Sequence, residues 1–159
     1  HVKGIQNNFD VQEELKRLKR ENHLERIIAL ERLSKERKLE TVNPIINVLK
    51  NDVEASVRKY AAKALGKIAH EMALDALVES MKDKNLEVRQ AASKAVQEIG
   101  FNLISRNSKI PELHIARTFI IYNPVEQPKQ FVELYNLLKK KQAEKEQAEK
   151  KAKQEKKTG

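Results

Sequence analysis

Three observations predict an all-α chain built from stacked helix pairs. First, Ala, Leu, Glu, Lys and Gln dominate, and 159 residues contain only 4 Gly and 4 Pro, too few turn formers for a β-sandwich. Second, apolar residues recur at helical spacing in one segment after another. Third, "VEASVRKYAAKALGKIA" (53–69) returns 31 positions later as "NLEVRQAASKAVQEIG" (85–100). A period in this range is the mark of a solenoid, in which each pair hides its apolar stripe against the next.

The elements follow in order. Residues 1–9 read as an N-terminal arm. Asp10-Val11-Gln12-Glu13 has capping-box spacing, and Val11, Leu15 and Leu18 then share one helical face. Asn22-His23-Leu24-Glu25 repeats the cap ahead of Leu24, Ile27, Ile28, Leu30 and Leu33. That helix is apolar around so much of its circumference that it is expected to be largely covered. Pro44 stands in the first turn of the next helix, before Ile45, Ile46, Val48 and Leu49. Then Val57, Ala61, Ala64, Leu65 and Ile68 form a narrow apolar arc, which Val88, Ala92, Ala95, Val96 and Ile99 repeat. Met72, Ala73, Ala76, Leu77 and Met81 make the helix between them. Aligned copies pair Asp52 with Asp83, Arg58 with Arg89, and Lys63 with Lys94.

Downstream, residues 106–138 read as a C-terminal helical cap. Its stretch "TFIIY" has strand-like composition but helical neighbours, and helix is preferred. From Pro128, Phe131, Leu134, Tyr135 and Leu138 mark a docked helix. The remainder, 139–159, is a basic tail with no apolar residue larger than Ala, read as a solvent-exposed helix that frays.

The run from Pro44 to Ile68, P-x-I … L-K-x-D-x-x-x-x-V-R-x-x-A-A-x-A-L-G-x-I, resembles the HEAT repeat in its short form, shared with phycobilisome-lyase-like proteins. The second copy keeps Asp83, Val88, Arg89, Ala92, Ala95 and Ile99, with Asp75 where the proline stands. The resemblance implies a short right-handed α-solenoid of about three HEAT-like pairs at 10–105, divided as 10–37, 41–69 and 71–105. The first pair is a degenerate copy, with Arg17 and Asn22-His23 at the positions of the aspartate and the Val-Arg pair. The resemblance also implies that Arg58 and Arg89 pair with the turn aspartates Asp52 and Asp83 and stitch repeats together.

Lys59, Lys63 and Lys67 lie opposite the apolar arc, on the fourth face of a second helix, which in a solenoid lines the concave groove. Their equivalents are Gln90, Lys94 and Glu98 in the next copy, and roughly Leu24, Ile28 and Arg32 in the degenerate one. Lys59, Lys63, Lys67 and Lys94 are therefore the candidate partner-binding residues, set against the commoner case of a merely solvated charge row.

The net charge of +9 is mostly a property of the tail, where residues 139–157 hold nine Lys against four Glu. Such a tail could neutralise phosphates, although no aromatic follows Tyr135 to stack on bases.

No catalytic residues, metal ligands or cofactor are expected. The histidines are scattered, and His70-Glu71, similar to the His-Glu pairs of HEAT-type hydroxylases, occurs once. A HEAT-like lyase, glycosylase or hydroxylase is the outsider. With no cysteine and no long apolar run, the expected setting is cytoplasmic, without membrane or small-molecule substrate. The leading expectation is a non-catalytic binding module for a protein. Nucleic-acid or ribonucleoprotein binding through the lysine groove and tail is the alternative.

Overall fold

A computed structural model describes residues 9–106 and 128–158, which contain seven α-helices and no strand. The helices are α1 (Val11–Arg17), α2 (His23–Glu36), α3 (Val42–Asn51), α4 (Ala55–Ile68), α5 (Leu74–Ser80), α6 (Leu86–Arg106) and α7 (Pro128–Thr158). Three antiparallel pairs result, α1/α2, α3/α4 and α5/α6. The second helices α2, α4 and α6 pack side by side, with α3 and α5 behind them. The expectations for 107–127, including the assignment of "TFIIY" to a helix, lie outside the described residues.

Local chemistry sets the helix starts. Asp10 accepts from the Gln12 N–H at 2.9 Å, Asn22 from the Leu24 N–H at 2.9 Å, and Asn85 from the Glu87 and Val88 N–H groups at 2.9 and 3.2 Å. The reciprocal half of the expected capping boxes is taken elsewhere. Glu13 pairs with Lys16, and Glu25 accepts from Arg20 at 3.0 Å. Short 3-10 turns, Leu39–Thr41 and Glu71–Ala73, lead into α3 and α5. Pro44 then falls in the first turn of α3, where no helical N–H bond is lost. Helices α2 and α4 end on left-handed residues, Arg37 at φ 49° and Ala69 at φ 56°, in the place where glycine is commonest.

Both predicted arcs are inside. Val57, Ala61, Ala64 and Leu65 are buried with Ile68 half-buried, and all five members of the α6 arc are buried. Each is covered by the neighbouring pair, the physical reason for the repetition. Gly66 permits close approach of α4 to α6. A Cβ there would stand 3.0 Å from Ala95 Cα and 2.6 Å from Glu98 Oε2.

The expectation that α2 is largely covered holds for part of its circumference only. Ala29, Leu30 and Leu33 are fully buried, yet Leu24 is 57% and Ile28 39% exposed. One flank of α2 meets α4 and another meets α1, leaving the face that bears these two residues open. In α7 a single helix runs through the boundary expected near residue 139, and the side chains of residues 143–158 are exposed.

Candidate functional site

The repeats are joined by an arginine–aspartate ladder. Arg26 of α2 grips the Asp52 carboxylate with Nε at 2.8 Å and Nη2 at 3.0 Å. Arg58 of α4 grips Asp83 in the same way, at 2.9 and 3.2 Å. The third nitrogen of each arginine donates backwards, to the carbonyl of its own repeat's turn. Arg26 Nη1 reaches Arg20 O, Arg58 Nη1 reaches Asp52 O and Arg89 Nη1 reaches Asp83 O, each at 2.8 Å. Each two-pronged charged pair therefore runs to the following repeat. The expected stitching of repeats by arginine and turn aspartate is thus present, with Arg58 using the Asp83 carboxylate and only the carbonyl of Asp52.

The ladder also corrects the register of the first copy. Arg26, not His23, is the equivalent of Arg58, and Arg20 occupies the place of Asp52. The left-handed ends Arg37 and Ala69 keep the same spacing. Hence Lys59, Lys63 and Lys67 correspond to Ile27, Glu31 and Lys35 rather than to Leu24, Ile28 and Arg32. Arg32 instead turns to α1, where it bonds the buried Glu14 carboxylate at 3.0 Å beside Arg17 at 3.3 Å. Aligning the copies on arginine would have found this register, but the first copy lacks the aspartate that normally precedes it.

Burial pushes the Asp83 carboxyl up. Hydrogen bonds from Arg58 and from the Asn85 N–H, with the charges of Arg58 and Lys84, outweigh that and hold it below the ordinary value. An open hollow of about 460 Å³ flanks the ladder, lined by Lys50, Asp52, Val53, Arg58, Asp83 and Lys84. Its two carboxylates are already occupied by arginines, so its chemistry is that of a structural seam.

The lysine row lies on another surface, the open face of the second helices. Lys63, Lys67 and Lys94 are exposed, whereas Lys59 is half-buried and bonds Glu87 of α6 at 3.3 Å. The Lys63 ammonium stands 5.2 Å from the centre of the Tyr60 ring, within cation–π range. Among the described residues no carboxylate lies within 4.0 Å of Lys63 or Lys67. The sequence thus located these lysines on one open face, but not that Lys59 is engaged and its neighbours are not.

His70, the one histidine followed by Glu, caps the turn before α5. Its Nδ1 accepts from the Met72 N–H at 3.1 Å. Among the described residues no three His, Cys, Asp or Glu side chains gather in a way that could hold a metal ion. No helix among them is long and apolar enough to cross a membrane.

Comparison with known families matches residues 42–113 to the model for HEAT repeats. No curated protein matches the chain.

Proposed function

The chain is a HEAT-repeat protein, and on that premise we propose a non-catalytic binding module that presents the open face of α2, α4 and α6 to a protein partner. HEAT repeats generally mediate protein interactions. The observation that carries the choice of face is the division of labour between the arginines and the lysines. Arg26 and Arg58 are consumed in joining repeats, while Lys63 and Lys67 stand exposed with no carboxylate partner among the described residues. Exposed cations with no carboxylate beside them among the described residues are available to an external anion. Lys94 extends the same face onto α6, and Lys59 borders it.

A photo-crosslinking residue placed at 63 or 90, on this face, is compared with one at Asn47 or Glu79, exposed on the first helices. Protein adducts formed from the open-face positions alone are the expected result. Adducts formed equally from 47 and 79, or no protein adduct from 63 and 90, would refute the choice of face.

Helix α7 favours a second reading. Its exposed end carries most of the lysine surplus, a pattern that neutralises phosphates and gives steeply salt-dependent binding. Labelled RNA and DNA titrated at low and moderate salt, against the full chain and one ended at Lys139, separate the two readings. Nucleic-acid binding that weakens on charge reversal of Lys63 and Lys67 would transfer the groove to this second reading.

A further inference from the structure

The open face is not uniformly charged. Lys59 leans towards α6, as its bond to Glu87 shows. Its equivalent Ile27 therefore occupies the flank of α2 that faces α4. Tyr60, about 100° further round its helix, has its ring centre 5.9 Å from the Lys59 ammonium and 5.2 Å from that of Lys63, so it stands among the lysines of the open face. Both are half-buried, and both pack against the core. Ile28 and Leu24, on the open side of α2, are 39% and 57% exposed. An aliphatic and aromatic strip thus covers the first two second-helices. Lys63 stands against the Tyr60 ring, and Lys67 follows one turn along.

Resting on the binding-module reading above, we infer that this strip receives a short acidic segment of a partner protein. An aliphatic anchor of that segment sits on Leu24, Ile27, Ile28 and Tyr60, and its carboxylates meet Lys63 and Lys67. Charge complementarity selects the occupant. Lys63 and Lys67, with no carboxylate beside them among the described residues, ask for anions, and the adjoining strip rewards an apolar side chain that a phosphate backbone lacks. The protein's own tail is excluded as occupant by sign, since residues 139–157 carry nine Lys against four Glu. The strip adds anchoring area, while the lysines supply register and faster encounter.

The test is selection of a displayed random-peptide library on the full chain at moderate salt. The expected consensus pairs one or two Leu, Ile or Phe with neighbouring Asp or Glu. The enriched peptides should lose about tenfold or more in affinity for Lys63→Glu/Lys67→Glu, and similarly for Leu24→Ser/Ile28→Ser. All four side chains are exposed, and a retained helical spectrum and melting temperature would show that the variants fold. No enrichment, a neutral or basic consensus, or acidic peptides that bind the variants as well as the parent would overturn the inference. A labelled RNA that competes with the peptides and binds through the same lysines would also overturn it. Protein cross-links from position 63 together with a non-acidic consensus would leave the binding-module reading standing and sink only this assignment of the partner.

Discussion

Arg58 touches two repeats at once. Its Nη1 holds the carbonyl of Asp52, 2.8 Å away, while its Nε and Nη2 hold the carboxylate of Asp83 in the next turn. A planar guanidinium suits this arrangement, because three of its five N–H donors are used with no rotation of the group. Arg26 repeats it one pair earlier, so the ladder fixes both the spacing and the order of the stack.

Double-mutant cycles should read this geometry directly. Arg58→Met costs about 2–4 kcal/mol in urea unfolding, because it leaves a largely buried carboxylate without its cation. The coupling of Arg58 to the Asp83 side chain is expected at about 1–3 kcal/mol, and its coupling to the Asp52 side chain close to zero, since only the Asp52 carbonyl is used. Arg26 should couple to Asp52 instead. The reverse pattern would mean that each arginine's charged partner is the aspartate of its own turn.

Acid should weaken the stack through Asp83. Its folded-state value lies below that of the unfolded chain, where a carboxylate titrates near about 4, so the folded state favours the ionised form. The resulting stability is fully present above that pH and is lost as the pH falls through the folded value. Stability measured from pH 7 downwards should therefore decline less steeply below about pH 4 in Asp83→Asn than in the parent, from a lower starting point. Parallel curves would show that Asp83 contributes no proton linkage.

Gly66 is needed for the approach of α4 to α6. Gly66→Val should lower stability by about 2 kcal/mol, since its Cβ meets the Ala95 backbone, which cannot rotate aside as Glu98 can. Gly66→Ala should fall between, because alanine's helix preference returns about 1 kcal/mol. A Val variant as stable as the parent would mean the helices separate without cost.

Ala69 ends α4 with φ at 56°, a left-handed conformation that penalises any Cβ. Ala69→Gly should raise stability by about 0.5–1 kcal/mol, the conformational relief exceeding the added freedom of the unfolded chain. A lower melting temperature for this variant would show that the Ala69 methyl contributes more by packing than its backbone costs.

Periodicity by itself determined the all-α class, the pairing of helices and the two apolar arcs, because a 3.6-residue repeat has one way to hide its stripe. It also placed Lys63, Lys67 and Lys94 on an open face, since they lie opposite residues that must be buried. It misjudged what depends on neighbours. The apolar run of α2 read as largely covered, yet α1 and α4 cover other flanks and leave Leu24 and Ile28 exposed. Arg26 carries no local mark distinguishing it from the other basic residues around it, and Arg20 at the aspartate position hid the true register. Only the stacked structure brings Asp52 within 2.8 Å of Arg26 across 26 residues of chain. Spacing along a chain states which side chains share a face. Which of them are paired across repeats, and which are left to meet another molecule, is decided when the helices stack.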